Sequence, residues 1–389
     1  MSVPVAITGL GVVSAFGHGV ESFWRALTAG ESGLRPIDRF PVAPGTAPAA
    51  AVPPMVVHDH VRTPVGRRID RVSLFALAAC RLAAQDAGLA LGGLPPARTG
   101  LVLGSAYGNL EETATFLDRL FARGTANPLL FPNLVMNAPL SYASLELGLT
   151  GPGAMISAGE VSGEGAIACG TDLVAERVAD VCFAGGADEL SEPFHRALDE
   201  ARRLSRTPHP LDGRADGFAL GEGAAVLVLE PLTRARARGA RLYATVAPAS
   251  GFSLPAPVHG WPHDAAALAA RLAPMIADAD LVVAAANGDP ALDALEADAL
   301  AVACRGRTPA VTAPRGATGS FGSAGALAVA TAALAVAHGL LPPTVGHTPP
   351  ARRGLDVVAG RARRAAVRVA VVDGLARGGA CRPIRVEAA

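Results

Sequence analysis

The chain has 389 residues, half of them hydrophobic and only 17% charged, which suits one large domain or two intimately packed halves. Basic and acidic residues balance at 34 each, so a general polyanion-binding role, nucleic acid included, has no electrostatic support. Every basic residue in that count is arginine, and the absence of lysine excludes Schiff-base catalysis and a P-loop together.

Residues 3–13 read as a β-branched strand entering a glycine turn, with a helix to follow over 22–29. Gly9 and Gly11 begin a dinucleotide-like spacing, but the next glycine, Gly17, falls off it, so no cofactor is expected. Residues 41–66 are rich in Pro, Ala and Val and predict a surface loop. His58 and His60 lie in it without a third ligand nearby, so no metal is expected. An apolar helix is predicted over 71–87 and a strand over 99–104. Residues 109–123, NLEETATFLDRLFAR, carry an amphipathic pattern, apolar at Leu110, Thr113, Leu117, Leu120 and Phe121. Residues 129–149 read as a loop and then a helix.

The stretch 149–170, LTGPGAMISAGEVSGEGAIACG, organises the rest. A buried strand ends at 154–156, small residues follow at Ser157, Ala158 and Gly159, and an Ala-rich helix comes next. Such an elbow predicts that the first helical side chain, Glu160, points into a pocket beneath the helix's free N–H groups and positive dipole end. Strands are predicted at 181–186 and 224–230, then a helix or hinge at 234–240. The pattern restarts with strands at 243–249, 280–286, 310–313 and 367–373 and helices at 264–276, 294–304 and 322–339. This alternation predicts an α/β fold with largely buried sheets. Elbows at Glu160 and Ser320, one in each half, point to an internal duplication. Five scattered cysteines without a CxxC pair predict reduced thiols in a cytoplasmic protein, and no signal-peptide pattern stands at the N-terminus. The Ala-rich run 325–341 reads as a core helix, not a membrane span.

Three segments, VAITGLGVVSAFGHGVESFWRALTAGESGLRPIDRF, LGLTGPGAMIS and LDGRADGFALGEGAAVLVLE, closely resemble the β-ketoacyl synthases of fatty-acid and type II polyketide assembly. The resemblance implies a thiolase fold: two similar halves, taken as 1–235 and 236–389, in a five-layered α-β-α-β-α stack. It also implies a dimer in which the strand beside the elbow pairs across the interface. Active members carry a cysteine and two histidines. Here Glu160 stands at the cysteine, Asn287 and Ser320 at the histidines, Arg315 at the usual lysine and Arg377 at a gating phenylalanine. Asn287 and Ser320 are expected to donate hydrogen bonds to Glu160, and no catalytic residue is expected.

An intact fold with an erased triad resembles the chain length factor, the partner subunit of type II polyketide ketosynthases, although the elbow there usually carries Gln. The partners implied are a ketosynthase α subunit and an acyl carrier protein. The tunnel-lining positions of the resembling subunits fall on Leu110, Thr113 and Leu117, with Glu112 and Phe116 beside them. Residues 129–137, with Phe131 and Met136, match the loop that reaches toward the partner. Few aromatics (4%) and the Glu at the elbow are compatible with a reduced or polyene product. Two alternatives stay open: a divergent malonyl decarboxylase or priming condensing enzyme using Glu160 as base, and a homodimeric acyl-binding protein. Arg202, Arg203 and Arg206 could face a carrier protein or simply solvent.

Overall fold

The computed structural model describes residues 3–247, 250–304 and 306–389. The first half contributes β1 (Val5–Ser14), α1 (Val20–Ala29), α2 (Arg71–Asp86), β2 (Thr99–Gly104), α3 (Leu110–Arg123) and α4 (Ala138–Leu147). It continues with β3 (Gly153–Ile156), α5 (Ser162–Ala175), β4 (Val181–Asp188), α6 (Glu192–Glu200) and β5 (Gly223–Pro231). The second half runs β6 (Ala244–Ala247), α7 (Ala265–Ile276), β7 (Leu281–Val283), α8 (Pro290–Ala303), β8 (Ala310–Thr312), α9 (Gly325–His338), β9 (Val369–Val372) and β10 (Ile384–Glu387).

The strands follow one path twice. In the first half the sheet order is β3-β2-β4-β5-β1, and in the second β8-β7-β9-β10-β6. β2 runs parallel to β3 and β4, and β7 parallel to β8 and β9. β5 is antiparallel to β4 and β1, as β10 is to β9 and β6. The duplication expected from the two elbows is therefore a duplication of topology. β1 and β6 join the two sheets antiparallel, with Val5, Ala6 and Ile7 opposite Val246, Thr245 and Ala244.

Five layers follow from which faces are apolar. Along β5, Ala225, Leu227 and Leu229 turn to a central cluster while Ala224, Val226 and Val228 turn outward, so both faces are covered and the strand reads as an unbroken apolar run. The inner faces of both sheets pack on α5 and α9, the central layer. Phe75, Leu77 and their neighbours on α2 cover the outside of the first sheet, and α7 and α8 cover the second. α9 is buried nearly all round, as its uniform Ala/Leu/Val surface requires. Among the described residues, no helix is long and apolar enough to cross a membrane.

Several boundaries differ from expectation for local reasons. The strand expected at 280–286 stops at Val283: Ala284 N–H still reaches Thr312 O of β8 at 2.8 Å, but the N–H groups after it go to carboxylates. Ala285 N–H donates to Glu296 (2.7 Å) and Asp373 (3.0 Å), and Ala286 N–H to Glu296 (2.8 Å). α8 begins at Pro290, ahead of the expected 294, since Asp289 caps it by accepting from Ala291 N–H at 3.0 Å. The expected loop 41–66 holds a short helix, Val57–His60. The end of the strand expected over 243–249 lies outside the described residues.

Candidate functional site

The two elbows converge on one pocket. Gly159 adopts φ 60°, a left-handed conformation that turns the chain from β3 toward α5. The helix starts only at Ser162, so Glu160 is not its first helical side chain, and its carboxylate takes no hydrogen bond from the α5 N-terminus. It turns to Arg377, in the loop after β9. Arg377 donates to Glu160 twice, through Nη1 to Oε1 and through its backbone N–H to Oε2 at 3.1 Å.

The expectation that Asn287 and Ser320 serve Glu160 is overturned. Asn287 Nδ2 donates to Ser320 Oγ at 3.0 Å, and Asn287 Oδ1 accepts from Asp289 N–H at 2.9 Å. A guanidinium competes better for a carboxylate than a neutral amide does, because both partners carry full charge. Arg377 also donates Nη2 to Asp289 Oδ2 at 3.1 Å, and its guanidinium lies 4.6 Å from the Trp261 ring and 5.3 Å from the Phe218 ring. Trp261 Nε1 donates to the same Asp289 oxygen at 3.1 Å, and Arg203 reaches it at 3.5 Å.

Glu160, Asn287, Arg315, Ser320 and Arg377 thus share one pocket, with Tyr107 and Phe218 in its wall. The space left is about 30 Å³, room for a water molecule or two. Burial pushes the Tyr107 phenol well above its usual range, with the nearby Glu160 charge adding to the rise. The lining of this pocket includes no thiol and no imidazole, and its one carboxylate, Glu160, is paired with Arg377. Among the described residues, no group of three or more His, Cys, Asp and Glu side chains is placed to hold a metal ion. Asp289 and Trp261 were not anticipated. Asp289 also caps α8, a local role that gives no sign of its place in the pocket, and nothing near Trp261 marks it.

Behind the pocket, Arg315 sits where the resemblance expects lysine, 4% exposed, donating Nη1 to Ala285 O at 3.1 Å. The carboxyls of Glu164 and Asp373 lie near this guanidinium, and Glu296 shares the Ala285 N–H with Asp373. Glu164 is fully buried against Gly325, where any Cβ would collide with its carboxyl at 1.8 Å, and neither of its oxygens has a hydrogen-bond partner. Burial pushes Glu164 up to about 7 from an ordinary 4.5 despite Arg315, and it pushes Glu296 and Asp373 up too. A carboxyl held neutral in the fold supports stability below its unfolded value, and that support is lost as pH rises through 7. Glu164→Gln should therefore match the parent near pH 4 and exceed it by about 3 kcal/mol near pH 8.5, measured by urea unfolding at both values. Equal pH dependence in the two proteins would refute this assignment.

α3 starts beside Tyr107 at the pocket wall. Asn109 caps it, accepting from Glu112 N–H at 3.2 Å. Leu110, Thr113 and Leu117 share one stripe with Leu120 and Phe121, as helical spacing requires. Glu112 and Phe116 turn aside to residues 128–133: Asn133 Nδ2 donates to Glu112 at 3.0 Å, and the Phe116 and Phe131 rings stand 6.4 Å apart. The stripe and the loop leave apolar surface open, with Phe121 82% exposed and Phe131 59%; Leu117 and Met136 are exposed as well.

Comparison with known proteins fits this architecture. The chain matches the β-ketoacyl synthase N-terminal domain over residues 2–235 and the β-ketoacyl synthase C-terminal domain over residues 250–348. It is 32% identical to the granaticin polyketide putative β-ketoacyl synthase 1 of Streptomyces violaceoruber over 97% of each chain. It is 31% identical to the actinorhodin polyketide putative β-ketoacyl synthase 2 of Streptomyces coelicolor, over 96% of this chain and 95% of the other. A chain of the solved ishigamide ketosynthase/chain length factor superposes with a TM-score of 0.93 at 28% identity, covering both chains fully. With the doubled strand path and the paired elbows, these matches establish that the chain belongs to the β-ketoacyl synthase family.

Proposed function

We propose that this chain is the chain length factor of a type II polyketide synthase, a non-catalytic ketosynthase homologue that pairs with an active ketosynthase. The observation that carries this reading is the pocket, where an ion pair, Glu160–Arg377, stands at the positions of the thiol and the gating phenylalanine, and Asn287 and Ser320 at those of the two histidines, in an otherwise intact fold. Similarity to polyketide synthase subunits of both kinds and to a ketosynthase/chain length factor structure supports the same reading. So does the open surface. β3 is the outermost strand of its half, with one free edge, and Ala154, Met155 and Ile156 are only half-buried. The α3 stripe and the 128–136 loop add further open apolar surface, with Leu117, Phe121, Phe131 and Met136 exposed. In this reading the two halves, 1–235 and 236–389, act as one cytoplasmic unit, and the stripe lines a tunnel that receives the growing chain from its acyl carrier protein. From Leu110 to Phe121 the stripe runs about 17 Å along the helix.

Native mass spectrometry of the chain isolated from its host should give a one-to-one complex with a cysteine-containing ketosynthase. In that complex Thr113→Trp is expected to shorten the dominant product, because a larger side chain at the middle of the stripe stops the tunnel early. A homodimer that carries no ketosynthase would overturn the proposal, and malonyl decarboxylation that is lost in Glu160→Ala would replace it with an enzymatic one.

A further inference from the structure

The elbow and the gate differ from the resembling enzymes at two positions 217 residues apart, and the structure puts those two side chains in contact. Arg377 closes over Glu160 with its guanidinium and its backbone N–H together, so the loop is held as well as the side chain. The guanidinium is fixed from several sides: Glu160 and Asp289 accept its hydrogen bonds, and Trp261 and Phe218 lie against it. The loop is anchored too, Gly378 N–H donating to Gly260 O at 2.9 Å and Ala376 N–H to Ala380 O at 2.9 Å. Both carboxylates are almost fully removed from solvent, 14% and 5% exposed at the side chain, so opening the loop would strand two charges in a poorly hydrated cleft.

We infer that Glu160, Arg377 and Asp289 form a bolt that shuts this subunit's own pocket to the thioester-bearing arm of a carrier protein. Acyl chains then enter the assembly through the partner's pocket alone. This deepens the proposed function and rests on it for the role of the partner, but the closed pocket itself is a property of this chain. A phenylalanine in that place would make only apolar contacts and so could exchange one for another. The bolt instead must break two charge-assisted hydrogen bonds and one from the backbone. The two halves are also tied across the pocket, since Glu160 comes from the first and Arg377 and Asp289 from the second.

The test places a reporter thiol in the pocket. Glu160→Cys leaves Arg377 anchored on Asp289 and the two rings. In the chain with whatever partner accompanies it, iodoacetamide should alkylate the new thiol slowly, as followed by peptide mass mapping. Glu160→Cys with Arg377→Gly should react at least about tenfold faster once compared at equal thiolate fraction. Equal rates would overturn the bolt. Should the double variant not fold, Glu160→Gln, Arg377→Met and their combination complete a cycle by urea unfolding. Coupling of about tenfold or more in the unfolding constant is expected there, and additivity overturns the proposal. Equal alkylation rates within a proven heterodimer would remove the bolt and leave the subunit reading intact. A homodimer with the rate contrast preserved would do the reverse.

Discussion

Glu222→Ala should be among the most damaging single substitutions in the chain, lowering stability by about 3–5 kcal/mol. Glu222 has no exposed side-chain surface and sits in the motif segment just ahead of β5. It accepts from Arg39 Nη1 at 2.9 Å, from Arg71 through both Nε (2.9 Å) and Nη2, from Val52 N–H at 2.9 Å and from Leu190 N–H at 3.0 Å. Alanine would leave two guanidinium groups and two buried N–H donors facing an empty space, and each unmade hydrogen bond carries its own desolvation penalty. Glu222→Gln keeps one acceptor oxygen and should fall between. Urea unfolding of the three proteins measures the ladder. A loss under about 1 kcal/mol in the alanine variant would mean that the arginines, about one-quarter exposed, turn to solvent without strain.

The largest functional effect is expected on the α3 stripe. Leu117→Asp with Phe121→Asp should dissolve the proposed complex with a ketosynthase while leaving the isolated chain folded, because both positions are exposed in the isolated chain. Burying a leucine and a phenylalanine contributes about 1.5–3 kcal/mol each. Putting two charges there instead should weaken association by about a thousandfold or more. Size-exclusion chromatography read beside circular dichroism separates loss of pairing from loss of fold. A complex of undiminished affinity would remove the stripe from the interface.

Much of the fold was legible because its strands are buried on both faces. β1, β2, β4 and β5 are continuous apolar runs bounded by glycine or polar turns, and α9 is an apolar segment too short to span a membrane. β10 was missed because IRVE alternates charge with apolar residues at a half-exposed position, a pattern that also fits a tail. α6 was missed because Glu, Arg, Asp and Pro dominate it, and its apolar side chains are few. In the site, each departure from the family pattern was readable one residue at a time. Their pairing was not. Nothing local tells that the acid at 160 belongs to the arginine at 377 and not to Asn287 or Ser320. The one available sign was chemical, two opposite charges placed where a thiol and an aromatic ring would be.

That pairing also bears on descent. A single reversion of Glu160 would leave Arg377 half-neutralised beside Asp289, and a reversion of Arg377 would leave two carboxylates facing each other in a closed cleft. Either step should lower stability, and a cysteine–histidine–histidine set would still need imidazoles at 287 and 320. In the proposed reading the pair acts as a ratchet: while Glu160 and Arg377 hold each other's charge, the first step toward a thiol is opposed by the fold itself.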